Sequence, residues 1–209
     1  IHISKMTGKL EGFQSISTNT STNEYCKKQN TKNDPNNICT HCYSWTMLKT
    51  FRKNMAPALE RNSILLNSKI LHLDALPVIN QAFFRFNSHG ELALDKKKAT
   101  INLINYINIA IKNPHCNFAL WTKRFDIIKP YFDKNKKPKN FILVYSNPKI
   151  NHIFKKPPKH FDRTFNNVYE NIEVDKQNCT GQKCKDCLLC YKLDTTDTIV
   201  EKVKSYGKK

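Results

Sequence analysis

Short apolar runs that end in small polar residues alternate with helix-length segments along most of this chain. The runs are rich in aromatic and β-branched residues, a composition that favours β-strands. Four runs are clear, at residues 9–21, 79–92, 117–125 and 140–148, and a fifth at residues 166–174 is weaker. Strands that alternate with helices predict a parallel sheet with right-handed crossovers.

The number of strands limits the architecture. Four or five strands within roughly 170 residues are too few for an eight-stranded barrel, which takes about 250 residues. We therefore predict an α/β fold over residues 1–170, either a partial (β/α) barrel or an open parallel sheet. Residues 171–209 form a small cysteine-rich C-terminal segment, predicted to bind metal. In both architectures the carboxyl ends of the strands carry the functional site.

Three segments are predicted to be helical. Residues 44–71 should break near Pro57, because proline interrupts helical hydrogen bonding. Residues 95–113 repeat Asn and Ile at a spacing of three and begin with Asp95, a candidate N-cap. Residues 124–134 should end at their proline or soon after it. Beyond the fourth run, an irregular stretch rich in Lys and Pro precedes the C-terminal cysteines.

Seven of the eight cysteines fall into two sets. A C-x2-C pair places two sulfurs on one side of a tight turn, a spacing that suits a metal better than a disulfide. The close spacing, and an N-terminus without a secretory pattern, favour a reduced cytoplasmic protein over a disulfide-bonded one. The first cysteine set is Cys26, Cys39 and Cys42 (C-x12-C-x2-C), and the second is Cys179, Cys184, Cys187 and Cys190 (C-x4-C-x2-C-x2-C).

Some residues near the first cysteine set leave alternatives open. The segment between Cys26 and Cys39 has no apolar face and is predicted to be a loop. Cys116 is isolated, so it is either a small buried apolar residue or a fourth ligand for the first set. His41 and His89 carry imidazoles that can ligate metal, although a His inside a C-x2-C loop more often points outward.

The formal net charge is +18, which favours nucleic acid or another polyanion as a partner. A composition rich in Lys, Asn and Ile is also what an AT-rich genome encodes. Lys123 and Arg124, at the end of the third run, either bind a phosphate or carboxylate or are solvated. Arg85 should point away from its neighbours Phe84 and Phe86 in a strand. No apolar run approaches the roughly 18 residues that cross a bilayer, which predicts no membrane association.

Three features resemble the radical S-adenosylmethionine (SAM) enzymes. "CTHCY" resembles their C-x2-C followed by an aromatic residue, "NSHGEL" is similar to their Gly-Gly-Glu segment, and later strands end in polar residues where that family contacts SAM. The resemblance implies a [4Fe–4S] cluster on the first cysteine set, with one iron open to SAM. It implies Tyr43 beside the adenine, Ser88, Gly90 and Glu91 at the amino group, and the strand ends Lys123 and Ser146 at the ribose or carboxylate.

More closely, "CTHCYS", "RFNSHGE", "WTK" and "YSNP" resemble the "gene product 88" family of phage and prophage proteins, over roughly residues 10–190. The resemblance implies reductive cleavage of SAM to a 5′-deoxyadenosyl radical that attacks an unknown substrate, with a reductant such as flavodoxin or ferredoxin. The first cysteine gap is twelve residues where three is usual, and Gly90 is single where two glycines are usual. A long loop can still close, because closure entropy rises slowly with length.

The second cysteine set has four ligands and no open position. That arrangement suits a second [4Fe–4S] cluster or a structural Zn²⁺. Two functions follow from the sequence. One is an iron–sulfur, radical-SAM-like phage enzyme, and the other is a zinc-stabilised basic nucleic-acid-binding protein without catalysis. The α/β pattern with polar strand ends favours the first.

Overall fold

The computed structural model describes residues 1–169 and 177–203. Within these residues a single sheet contains seven strands in the order of the chain. The first pair is antiparallel and every later pair is parallel, which confirms the predicted α/β class with a mostly parallel sheet. The strands are β1 (Ser4–Lys5), β2 (Gln14–Ile16), β3 (Phe83–Phe86), β4 (Asn117–Thr122), β5 (Phe141–Ser146), β6 (Arg163–Val168) and β7 (Thr198–Lys202).

Helices connect most of the parallel strands, but the connection from β5 to β6 contains none. The described residues contain α1 (Glu24–Asn30), α2 (Tyr43–Lys49), α3 (Ala56–Ser68), α4 (Lys96–Lys112), α5 (Phe125–Phe132) and α6 (Cys184–Cys187). The predicted cap of α4 is confirmed, since the Asp95 carboxylate accepts a hydrogen bond from the Lys98 N–H at 2.8 Å. The predicted break also occurs, and Pro57 lies in the first turn of α3, where its missing N–H costs nothing.

The predicted loop between Cys26 and Cys39 is wrong in its first part. Helix α1 continues through Asn30 and carries Cys26. The side chain of Asn23 begins this helix by accepting a hydrogen bond from the Cys26 N–H at 3.1 Å. No residue of α1 is buried, so the apolar periodicity that would have indicated a helix is missing from the sequence.

The predicted irregular stretch is also wrong where β6 lies. Arg163 and Asn166 are both fully buried within this strand, which hides the apolar alternation expected of a strand. The weaker fifth run, residues 166–174, overlaps the second half of β6. The rest of that run, and the predicted boundary between residues 170 and 171, lie outside the described residues.

The two faces of the sheet bury different partners, because successive side chains of a strand point to opposite faces. In β4, Phe118 and Leu120 pack toward α3, α4 and α5. Ala119 and Trp121 point to the other face, together with Ile142 and Val144 of β5. A large apolar core therefore lies on the helical face, and a smaller one lies on the opposite face.

Residues of the C-terminal segment complete the smaller core. The ring of Tyr191 is fully buried there, 4.6 Å from the ring of Phe13 and 5.7 Å from that of Trp121. The same segment supplies β7, which pairs with β6. The second cysteine set is thus packed on the sheet.

No helix of the described residues has the length and apolarity that a bilayer crossing requires.

Candidate cofactor site at the carboxyl edge of the sheet

Polar side chains are buried where β2, β3, β4 and β5 end. Parallel strands end at the same edge, so these side chains meet, as the sequence predicted. Buried polar groups are stable only when they are hydrogen-bonded or hold a ligand. The buried polar residues at this edge are Ser17, Thr18, Asn19, Thr20, Asn87, Ser88, His89, Glu91, Thr122, Arg124 and Asn147.

The chain after β2 brings the first cysteine set to this edge. Cys26 lies on α1, and Cys42 is the N-cap residue of α2. Cys39 lies between them, and the Asn37 side chain accepts its N–H at 2.9 Å. The Ile38 N–H donates to the carbonyl of Pro148 at 2.8 Å, which ties this loop to the end of β5. All three thiols line one cavity of about 130 Å³, here called the site cavity.

The six residues that the resemblance placed around SAM line the same site cavity. They come from the start of α2 and from the ends of β3, β4 and β5, and are Tyr43, Ser88, Gly90, Glu91, Lys123 and Ser146. Sequence reasoning missed other lining residues, including Thr20, Tyr25 and Asn87. Tyr25 could have been considered from its position next to Cys26 in the sequence.

Glu91 is buried and already accepts three hydrogen bonds. Its Oε1 accepts from the Thr122 hydroxyl at 2.6 Å and from the Leu92 N–H at 2.9 Å, whereas Oε2 accepts only from the Lys123 N–H at 2.8 Å. A carboxylate has about four acceptor positions, so Oε2 retains one. Burial raises the pKa of Glu91, although the charge of Lys123 and these hydrogen bonds partly offset it.

Gly90 allows two strand ends to approach each other. Its φ is +76°, and a Cβ at this position would lie 2.1 Å from the Thr18 Oγ1 and 2.6 Å from the Thr18 carbonyl oxygen. Its N–H donates to the Thr20 hydroxyl at 2.8 Å. The backbone that packs closest to Gly90 is therefore the segment that follows β2, at Thr18.

Tyr43, Ser88 and His89 form a small network beside the cysteines. The Tyr43 hydroxyl donates to the Ser88 carbonyl, and His89 Nδ1 lies 2.7 Å from the Ser44 hydroxyl. Burial, together with the charges of Arg52 and Arg85, lowers the pKa of His89 to about 4, so its ring is neutral at pH 7. The Ser88 hydroxyl is buried and has no hydrogen-bond partner among the described residues.

The two basic residues after β4 have different roles. Arg124 is buried, forms an ion pair with Asp126 at 2.8 Å and donates to the carbonyl of Ala93, so it holds the loop after β3. Lys123 faces the cavity and donates to the Ser146 hydroxyl at 2.9 Å. Burial works to lower the pKa of Lys123, but nearby Cys39 and Glu91 outweigh it, and the pKa is raised.

The second cysteine set lies against the smaller core. Cys184 and Cys190 pack on it, and the Cys179 N–H donates to the carbonyl of Val200 in β7 at 3.1 Å. Burial raises the pKa of the Cys179, Cys184 and Cys190 thiols. In the described part of the chain, no three His, Cys, Asp or Glu side chains are gathered as a single metal ion would require.

A larger cavity of about 560 Å³ joins the two cysteine sets, and it is called the joint cavity below. It shares Arg85, Trp121 and Lys123 with the site cavity. The cysteines that line it come from both sets and are Cys39, Cys42, Cys179, Cys184 and Cys190. This arrangement could not be predicted, because nothing in the cysteine spacing indicates that the C-terminal segment folds back over the sheet.

Neither Cys116 nor His41 lines the site cavity. Cys116 is buried in the helical-face core at the start of β4, about 20 Å of strand from the carboxyl edge. It is therefore a small apolar residue, and the alternative that it completes the first cysteine set is wrong. His41 is exposed, with Nε2 3.0 Å from the carbonyl oxygen of Pro35, as the outward orientation predicted.

Fold and site together define a parallel α/β protein with a cysteine-lined cavity at the carboxyl edge of its sheet. The family model for Gene product 88 matches residues 5–182, and the chain therefore belongs to this family of phage gene products. No curated protein and no solved structure matches the chain. The matched residues include the whole first cysteine set and end between Cys179 and Cys184 of the second.

Proposed function

We propose that this chain is an iron–sulfur protein of the radical SAM type, in which the first cysteine set holds a [4Fe–4S] cluster with one iron open to SAM. When bound and reduced, such a cluster supplies the electron that splits SAM into methionine and a 5′-deoxyadenosyl radical. A reductant of the flavodoxin or ferredoxin class would deliver that electron. Thiolate-bound clusters suit a reducing compartment, so the proposal implies a cytoplasmic protein.

The observation that carries the proposal is the convergence on the site cavity. The three cysteines and all six residues assigned to SAM by resemblance line this one cavity. They come from the segment after β2 and from the ends of three other strands. Parallel strands bring their own ends together, but the first cysteine set reaches the same cavity through α1, the loop after it and the start of α2.

The chemistry of the donor set fits the proposed cluster. Burial, followed by the nearby charges of Glu91 and the other cysteines, raises the pKa of Cys26. Burial also raises the pKa of Cys39, although the charge of Lys123 works against it. Buried thiolates need a positive partner, and an iron cluster beside the Lys123 ammonium supplies one.

The protein groups around the cavity have roles that SAM chemistry requires. The spare acceptor position on Glu91 Oε2 suits the SAM ammonium, and Lys123 with Ser146 suits its carboxylate. The unpaired Ser88 hydroxyl can donate to a ribose or carboxylate oxygen.

The same proposal assigns the sheet to a partial (β/α) barrel. Strands follow each other in chain order, as they do in a barrel. Lys9, from the turn between β1 and β2, forms an ion pair with Glu201 of β7, so the two edges of the sheet approach each other. We propose that the second cysteine set holds either a second [4Fe–4S] cluster or a structural Zn²⁺ at this closing face.

Titration of SAM into anaerobically reconstituted protein, followed by electron paramagnetic resonance of the reduced cluster, tests the proposal. The expected result is a SAM-dependent change in the signal of the parent, lost in Cys42→Ala. Cys116→Ala is the matched control, since it removes a cysteine outside the cavity and should retain the response. The proposal would be overturned by a parent protein that takes up no iron, or by a cluster signal that does not change when SAM is added.

A further inference from the structure

We infer that the joint cavity binds a small molecule through an anionic group, a carboxylate or a phosphate, that is held by Arg85. The inference rests on the proposed function only in treating this molecule as the substrate. A volume of about 560 Å³ is that of a typical small-molecule site, about 300–1,000 Å³. Its charged lining is mainly basic: Lys9, Arg52, Arg85 and Lys123 against the single carboxylate Glu201 among the described lining residues.

Arg85 is held in a fixed position by its neighbours. It lies in β3 between Phe84 and Phe86, which pack into the core on the helical face, so its side chain points to the opposite face. Its guanidinium lies over the Trp121 ring, 3.9 Å from the ring centre. Stacking of this kind orients the planar fork while leaving its edges free to donate hydrogen bonds.

The other basic residues of the cavity already have polar partners. Lys9 pairs with Glu201, Arg52 donates to the Thr7 hydroxyl at 2.7 Å, and Lys123 donates to Ser146. Arg85 has no carboxylate partner among the described residues. Its guanidinium interacts with the Tyr191 hydroxyl, and the Tyr43 hydroxyl and the Cys190 and Cys184 thiols lie nearby.

Two buried polar atoms near the shared wall of the cavities lack partners. Within the described residues, Arg85 Nε and Ser88 Oγ are shielded from solvent and form no hydrogen bond. A buried donor without a partner costs about 1–3 kcal/mol, so unpaired donors on residues that line a cavity call for an explanation, and a bound ligand is one. A guanidinium binds carboxylates and phosphates through paired hydrogen bonds, so an anion in the joint cavity would give Arg85 the charged partner it lacks among the described residues.

Calorimetric titration of metal-loaded protein with inorganic phosphate and with succinate, in low-salt buffer, tests the inference. The parent should bind at least one of these probes at one site per chain. Arg85→Gln should weaken binding at least ten-fold. Arg85→Lys should weaken it several-fold, because lysine keeps the charge but lacks the paired N–H donors of the guanidinium. Arg61→Gln is the matched control, since Arg61 is exposed on α3 and the variant loses the same charge without touching the cavity.

Absence of binding in the parent, or equal binding in Arg85→Gln, would overturn the inference. If Arg85 only compensates the charge of the second cysteine set, Arg85→Gln will lose metal from that set and keep the parent's anion affinity. If Arg85→Gln does not fold, an Arg85→Lys variant that binds as the parent does is equally decisive against it. A parent that lacks iron but loses anion binding in Arg85→Gln would refute the proposed function and leave the anion site standing.

Discussion

Cysteines of both sets line the joint cavity, but the two sets lie in different surroundings. The first set is surrounded by buried polar strand ends, which the protein ties together with its own hydrogen bonds. The second set packs on aromatic side chains, chiefly Tyr191. Its helix α6 has four residues and no side-chain cap, and Leu188 follows it in a left-handed conformation with φ of 55°.

This difference indicates what a metal would contribute at each place. A four-residue helix supplies little stability of its own, so a metal bound there contributes to folding. The carboxyl edge is already organised by β2, β3, β4 and β5, so a cluster bound there contributes chemistry. We therefore expect loss of a thiol to affect stability at the second set and ligand binding at the first.

The largest expected effect comes from removing one thiol from each set. Cys184→Ala should lower the free energy of unfolding by on the order of 5 kcal/mol, since binding energy of a closed metal site is folding energy. Cys39→Ala should lower it by less than about 1 kcal/mol, because the edge is held by other contacts. Chemical denaturation of both variants under anaerobic conditions measures the contrast, and the opposite ranking would show that the roles are reversed.

A pair of glycines extends the comparison to the backbone. Gly90→Ala should destabilise by about 3–5 kcal/mol, because its Cβ would collide with Thr18 in a left-handed conformation. Gly181, in the second region, also has a positive φ of 95°, but a Cβ there meets nothing within 4 Å. Gly181→Ala should therefore cost only about 1 kcal/mol. Thermal unfolding of the two variants measures this, and equal losses would contradict the packing assigned to Gly90.

Lowering the pH should destabilise the region around the first cysteine set, because His89 becomes protonated. Burial, then Arg52 and Arg85, lowers its pKa from 6.5 to about 4. Between these values the unfolded chain binds a proton that the folded protein does not, so stability is complete above pH 6.5 and falls as the pH approaches 4. The loss attributable to His89 is about 3 kcal/mol. Unfolding of the parent and of His89→Asn between pH 7 and pH 4 would show it, and parallel profiles would be evidence against a buried neutral ring.

The smallest expected effect concerns ligand affinity. Glu91→Gln keeps the shape of the side chain but removes its charge, so SAM affinity should fall about ten- to a hundred-fold, or about 1.4–2.8 kcal/mol. Iron content should not change. Glu60→Gln is a suitable control, because Glu60 accepts from Asn19 at 2.9 Å but does not line the site cavity. Equal SAM affinity in parent and Glu91→Gln would remove Glu91 from the site.

The sequence predicted the elements whose apolar pattern is regular. Residues 95–113 form α4 as expected, and the polar ends of four strands meet at one edge because parallel strands require it. Prediction failed where buried residues are polar, as at Arg163 and Asn166 of β6. It also failed for α1, whose side chains have no apolar face.

For the site, short motifs identified residues that do line one cavity, but they could not supply the contacts among them. Gly90 matched a ligand-binding motif, yet its closest neighbour is Thr18, which lies far from it in sequence. The joint cavity depends on how residues 177–191 fold back over β3 and β4, and on the stacking of Arg85 on Trp121. Such long-range packing leaves no local pattern in a sequence.

The central claim is that the first cysteine set holds an iron–sulfur cluster. Iron, acid-labile sulfide and zinc should be measured per chain after anaerobic purification and reconstitution, in the parent and in Cys39→Ala/Cys42→Ala. The account predicts about four irons and four sulfides that the double variant loses, while metal at the second set remains. A colourless parent with two zinc ions per chain and no iron would contradict it and favour a zinc-stabilised protein without this chemistry.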